Sequence, residues 1–484
     1  MASYFLGFGS QLLISYYFGT SSSLDEYWVA FSIINLLCFY TGAFKEALVP
    51  IMHQSKDAKE AGGVLSAALL LLSGIAILSV ILLILIQDML VALVADGNEV
   101  DDRSIGLILY WFLPSILFFV LSETMNALLA CYDKIIFQTM ARLSGSVAMI
   151  ACLFLYAASL GVKSMVIGVV LSQIFVLFFS AIALKVQGIK LAKPRFSVFM
   201  LGKFHKLFWS LLLTYFLAQG YAIYERSVML AMKSGTIASF QYGVTLTNVI
   251  VSVIAYPLAN LLWPRFLNSN AEKNIDDAIF TALRSTAVLY AVLLIICLFC
   301  FSNSYRIVEI VYARGAFDSA SIDLASKTFR AAIFTAIPIG FFSVFGRFLM
   351  SVGAGYAFAL VSVIVSFSGI AVLAVSSFLG NYNFVLFHWL ISNSIGTLFC
   401  VIIFFRKFQI SEYTVRIWFF WLFKVSIIVM LLGICYEQLT IKFGANRSIV
   451  YTAIDGGVFF VAAWLGLNIF RLIDIYKPNL NFKA

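Results

Sequence analysis

The chemistry of this chain starts with a few ionisable residues stranded in apolar surroundings. Glu225 and Arg226 sit side by side in SLLLTYFLAQGYAIYERSVMLAM, and Glu123 sits in LFFVLSETMNALLA. An ionisable group far from water is expensive, so it either serves a function or is held in an interhelix pair. Both readings stay open for Arg226, Glu225 and Glu123. Adjacent helical residues point about 100° apart, so Glu225 and Arg226 are expected to face different neighbours rather than each other. Asp25, in SSSLDEYW, has a local reading: Ser22 caps a helix and Asp25 completes a box-like pattern. Lys45 and Glu46 read as a solvated pair. Arg330 and Arg347 bracket a further apolar helix, where such side chains snorkel to headgroups or meet phosphate. Lys424 lies inside another apolar run.

Other chemistries find little support. The seven cysteines, Cys38, Cys131, Cys152, Cys297, Cys300, Cys400 and Cys435, lie in or at the ends of apolar segments. Cys297 and Cys300 have CxxC spacing but no neighbouring histidine, so they read as small apolar fillers. His53, His205 and His388 are dispersed. No catalytic nucleophile, metal site or cofactor is expected, and the chain does not read as an enzyme. The acidic stretch from Asp88 to Asp102, with Asp96, Glu99 and Asp101, lacks metal-ligand spacing and reads as a solvated turn.

The elements that must position these residues follow from composition. The chain has 484 residues, 62% hydrophobic and 11% charged, with mean hydropathy +1.00. Soluble domains are nearer a quarter charged. Long apolar runs without strict alternation make helices the spanning element. The first apolar segment has no basic leader or small-residue cleavage pattern, so it reads as a span. The pattern gives about 14 helices: 1–19, 26–51, 62–87, 104–131, 135–159, 164–187, 204–231, 236–264, 277–303, 322–349, 354–379, 383–405, 414–436 and 448–471. With both termini cytoplasmic, about two thirds of the basic residues fall on the cytoplasmic side, as the positive-inside rule requires. The net charge of +9 is then topology and contact with anionic lipid, not a nucleic-acid surface. The longest basic, acid-free stretch, Lys185 to Lys206 with Pro194, reads as a cytoplasmic linker at 191–203. It separates an N-lobe of helices 1–6 (1–190) from a C-lobe of helices 7–12 (204–406). Helices 13 and 14 and a tail occupy 407–484. Pro114, Pro257, Pro264 and Pro338 fall in or near spans, where they kink helices.

One stretch interrupts the apolar pattern. In YARGAFDSASIDLASKTFRAA, from Tyr312 to Ala332, Gly315 permits a turn, and Asp318, Ser319 and Ser321 are helix-capping types, with Asp323 near the first turn. The RGAFD segment resembles the entry to helix 10 of the MurJ (MviN-like) lipid II flippases of the MOP exporter superfamily. FGTSSSLDEYWVAF (Phe18–Phe31) with GAFKEALVPI (Gly42–Ile51) is similar to the family's helix 1–2 region. ERSVMLAMKSGTIASFQYG (Glu225–Gly243) with LLWPRF (Leu261–Phe266) is similar to its helices 7 and 8.

The resemblance implies an all-α polytopic membrane protein, with two six-helix lobes around a central cavity and two C-terminal helices. It implies a flippase in a bacterial inner membrane. Such a protein moves a polyprenyl-pyrophosphate-linked glycan from the cytoplasmic to the outer leaflet by alternating access. Membrane lipids are partners, and a coupling ion or the membrane potential drives the cycle; the oligomeric state stays open. It also implies that Asp25 matches a family acid, that Glu225 and Arg226 match an acidic–arginine pair, and that Lys424 lines a lipid-tail groove. The family's cavity arginines fall on Tyr4, Ser10, Cys38 and Thr245, and its sodium-type ligands on Ser368 and Val372. Those losses favour an exopolysaccharide or O-antigen-type unit over lipid II. The competing readings are a MATE-type drug/cation antiporter and a degenerate, non-transporting scaffold.

Overall fold

The computed structural model describes residues 2–52, 58–95, 102–131, 135–188, 192–196, 202–271, 275–380 and 382–442, with no strand among them. The expected span 448–471 and the acidic positions Asp96, Glu99 and Asp101 lie outside the described residues. Among the described residues, ten helices are long and apolar enough to cross a membrane. An eleventh span counts if Ser22–Leu37 and the following helix, bent by 43°, form one crossing. The chain is therefore a multi-span membrane protein. Two expected spans are helical without meeting that standard. The first has 17 residues, and Gly202–Leu230 carries Gln219, Glu225 and Arg226 along its length.

The chain divides into two compact units. Unit 1 comprises Met1–Ser239, Tyr312–Ser321 and Leu373–Tyr382. It holds α1 (Ala2–Phe18), α2 (Ser22–Leu37), α3 (Phe39–Met52), α4 (Ala58–Ala95), α5 (Asp102–Cys131), α6 (Ile135–Leu160), α7 (Lys163–Val186) and α8 (Gly202–Leu230), and the start of α9 (Thr236–Ile250). Within it α7 packs against α5 and α6, α1 against α6, and α8 against α2 and α3. That last packing places α8 in unit 1, although the linker reading assigns it to the C-lobe. We keep the 191–203 lobe boundary as a proposal.

Unit 2 comprises Phe240–Val311, Ile322–Val372 and Asn383–Ala484. It holds α10 (Tyr256–Ala271), α11 (Ile275–Ser302), α12 (Ser304–Tyr312, up to Val311), most of α13 (Ser319–Ala332), α14 (Ala336–Ser351), most of α15 (Gly355–Phe378), α16 (Tyr382–Lys407) and α17 (Glu412–Lys442). Its centre is α11, which packs against α14 and α17. Ala291, Leu294, Ile295, Val425 and Val429 form one buried cluster there. The Trp418 indole donates to the Leu283 carbonyl at 3.0 Å, so a polar edge is satisfied inside an apolar contact.

The outward faces carry large apolar side chains. Leu85 is 74% exposed and Phe378 90%, which suits hydrocarbon and not water. Two prolines explain two helix irregularities. A proline ring clashes with the carbonyl four residues earlier. Four residues before Pro257 is Val253, inside a π-helical stretch at Val251–Ala255. Four residues before Pro338 is Phe334, inside a 3-10 stretch at Ile333–Thr335.

Candidate functional site

Parts of the segments that carry the family resemblance, residues 16–25, 235–238 and 313–321, meet within unit 1. α1 stops at Phe18, and residues 19–21 turn the chain into α2. The loop from Ala313 to Asp318 lies against that turn. The Ala316 N–H donates to the Tyr16 carbonyl at 2.8 Å, and the Thr20 and Ser321 hydroxyls are 2.8 Å apart. Gly315 has φ +63°, and a Cβ there would run into the Tyr16 carbonyl. Both the backbone conformation and the close approach demand glycine. Asp318 is the cap expected from its type: its carboxylate accepts the Ser321 N–H at 2.8 Å. The hydrogen bonds from Ser321 hold the Asp318 carboxyl below its ordinary range. Asp323 instead forms an exposed i,i+4 bridge to Lys327 at 2.7 Å.

The local cap expected for Asp25 does not form. The N-cap of α2 is Ser21, without a side-chain cap bond. Asp25, 3% exposed, turns away to the start of α9. Its Oδ2 accepts the Gly235 N–H and its Oδ1 the Ala238 N–H, both at 2.7 Å. Gly235 precedes α9 and has no side chain with which to cap it. A buried helix start needs its orphan N–H groups satisfied, and the positive end of the helix dipole favours an anion. Asp25 therefore performs, from α2, the capping that position 235 cannot.

Two residues at the end of α8 complete the junction. Glu225 is buried at 6% exposure, and Arg226 Nη1 lies 3.2 Å from Glu225 Oε1. This corrects the expectation that the two face apart. Helix geometry sets only the Cβ directions, and the long arginine stem curls back. With both groups nearly out of water, their attraction outweighs rotamer cost. Asp25 and the Glu225–Arg226 pair are thus two buried polar groups of unit 1.

Glu123 belongs to a different cluster. Lys45 Nζ lies 3.1 Å and Arg142 Nη2 3.5 Å from Glu123 Oε2. Lys45 and Glu46 are therefore not a pair: Glu46 accepts the Tyr215 hydroxyl at 2.8 Å. Successive residues on α3 reach different helices. Sequence reasoning missed Arg142, because nothing near it in sequence marks it as a partner.

The remaining candidates lie in unit 2. Arg330 Nε donates to the Ser304 hydroxyl at 3.1 Å, with its guanidinium over Phe301 at 5.4 Å. Arg347 donates to Asn260 at 3.1 Å and sits over Trp263 at 5.1 Å. Lys424 is exposed, over Phe420 at 4.5 Å. Of the positions matched to cavity arginines, Ser10 bonds to its own helix at the Gly7 carbonyl, 2.7 Å away. Cys38 is buried and lines a cavity inside unit 1, with Phe31, Asn35, Phe119, Met149 and Gln173. That lining carries no charge.

A family model described as lipid II flippase MurJ matches residues 14–451. A relative from Buchnera aphidicola, named a probable lipid II flippase MurJ, is 24% identical over 363 residues. The alignment covers 70% of this chain and 66% of the relative, so the chain spans just under two thirds of the length of that relative. A solved structure of a lipid II flippase MurJ in an inward closed conformation superposes with TM-score 0.80 at 20% identity, covering 97% of this chain and 96% of that one. An inward-facing MATE multidrug transporter of the MOP superfamily superposes with TM-score 0.66 at 15% identity, covering 82% and 92%. At these identities the superpositions establish a shared fold.

Proposed function

The chain belongs to the lipid II flippase MurJ family, and from that premise we propose that it moves a polyprenyl-pyrophosphate-linked glycan from the cytoplasmic to the outer leaflet. The family match over residues 14–451 is the observation that supports this reading most directly. The membrane is a bacterial inner membrane, with both termini cytoplasmic as the distribution of basic residues suggests. Transport is by alternating access and changes no covalent bond, so the protein is a carrier and not an enzyme. The cargo is an exopolysaccharide or O-antigen-type unit, or lipid II itself.

A diphosphate and its sugars cannot enter hydrocarbon without compensation. The carrier must therefore offer a wet route that is closed at one end at a time. The Asp25–α9 cap suits a closing element, because water can replace each of its hydrogen bonds when the junction opens. Arg226 then supplies a cation at the same end, with Glu225 keeping it neutralised while the junction is shut. Arg330, Arg347 and Lys424, each stacked on an aromatic ring, serve as headgroup and lipid-tail contacts.

Depleting the protein in its own cells and extracting the polyprenyl-linked intermediates for mass spectrometry tests the reading. Accumulation of a disaccharide-pentapeptide lipid identifies lipid II as cargo. Accumulation of another lipid-linked sugar identifies a polysaccharide unit. No accumulation refutes flippase activity and leaves the antiporter or scaffold.

A further inference from the structure

We propose that Lys45 and Arg142, bridged by Glu123, form an entry site for the diphosphate of the lipid-linked cargo, an inference that rests on the flippase reading above. The three residues come from three helices, α3, α5 and α6, and both cations converge on one oxygen, Glu123 Oε2. Two cations on one carboxylate leave a formal charge of +1. Glu46, the next acid on α3, does not cancel it locally, because it is exposed and bonded to Tyr215.

Position along the helices argues against a bridge between helix ends. Lys45, Glu123 and Arg142 each lie about two turns, roughly 10–12 Å at 1.5 Å per residue, from the same-side ends of their helices. The positive-inside reading assigns that side to the cytoplasm. A surplus cation at that depth is costly unless an anion or a wet passage meets it. Lys45 is 27% exposed and Arg142 46%, against 21% for Glu123, so the cations are the more accessible partners. Glu123 acts as a placeholder: it orders both cations in the empty state, and a diphosphate with more negative charge displaces it. Guanidinium and ammonium together suit a diphosphate, the first bidentate and the second a mobile point charge. The site also supplies cationic contacts that Ser10, Cys38 and Thr245 cannot.

The test measures binding of a polyprenyl diphosphate to the full-length protein in phosphatidylcholine nanodiscs, with the matching polyprenol as uncharged control. Lys45→Gln and Arg142→Gln should each weaken diphosphate binding about tenfold, the low end for partly solvated charged hydrogen bonds. Glu123→Gln should tighten it by about threefold or more, because the internal competitor is removed. Lys45→Arg with Arg142→Lys should retain binding. A purely structural bridge gives the opposite pattern: all the glutamine variants lose binding together with thermal stability. Wild-type binding unchanged by any of these variants overturns the site and leaves the flippase reading standing. Equal affinity of wild type for diphosphate and polyprenol overturns both. Displacement by inorganic pyrophosphate but not by excess phosphatidylglycerol is expected; displacement by phosphatidylglycerol at like concentration marks a general headgroup site and overturns the proposal.

Discussion

Asp25→Ala is the sharpest test of the junction, because its cost can be worked from the contacts. The carboxylate accepts two backbone N–H groups at 2.7 Å while 3% exposed. Removing it strands both N–H groups at the start of α9, at about 1–3 kcal/mol each for an unsatisfied buried donor. A total of about 3–5 kcal/mol is expected, the range for breaking a buried charged partner. Asp25→Asn keeps the shape and one acceptor but turns an amide against the second donor, so about half of that loss is expected. The measurement is equilibrium unfolding of wild type, Asp25→Asn and Asp25→Ala in mixed micelles, followed by tryptophan fluorescence. Transport should fall in the same order. If both variants unfold within about 0.5 kcal/mol of wild type, the scale of a neutral surface change, then α9 is not capped from α2 and the closing role proposed for Asp25 fails.

The other expectations follow from single contacts. Gly315→Ala forces a Cβ onto the Tyr16 carbonyl at φ +63°, whereas Gly161, at φ +56°, has nothing within 4 Å. Both substitutions bear the left-handed penalty of about 1–2 kcal/mol, but only Gly315→Ala adds a clash, so unfolding should separate the two by more than about 1 kcal/mol. Asp318→Ala should cost about 1 kcal/mol as a lost cap, and Asp318→Asn only a few tenths. The Asp318 carboxyl is held below its ordinary value. Its share of stability should therefore be complete above the unfolded-state value, near 3.8, and vanish only as pH falls through the lower folded value; a pH series of wild type against Asp318→Asn reads this. A double-mutant cycle of Glu225→Gln and Arg226→Gln should return a coupling of about 1–3 kcal/mol, and zero coupling would mean the 3.2 Å pair adds nothing.

What the sequence disclosed divides along the reach of each interaction. The Asp318 cap was legible because its donor, the Ser321 N–H, lies three residues away and capping chemistry is local. The spans were legible because bilayer thickness fixes their length. Asp25 was misread for the same reason that Asp318 was read correctly: a local pattern was available, whereas the true partners lie more than 200 residues on. Lys45 and Glu46 repeat the lesson, since neighbours in sequence reached Glu123 and Tyr215 on two other helices. Glu225 and Arg226 show the converse. Backbone direction was known, and a long side chain in a dry setting overrode it.

The buried groups of unit 1 bear on whether the chain is a degenerate scaffold. A fold kept only as a scaffold gains nothing from buried charge, since replacing a buried ionic group with apolar residues of similar size is often neutral or stabilising by about 1–4 kcal/mol. Yet Asp25 and Glu225 are 3% and 6% exposed, and their partners are backbone N–H groups and a guanidinium that water can equally satisfy. Such contacts make sense where two surfaces must part into water and rejoin. On the proposed reading, Ser10, Cys38 and Thr245 bear on what is carried. On that reading, the cations at Lys45 and Arg142 favour an altered cargo contact over lost transport.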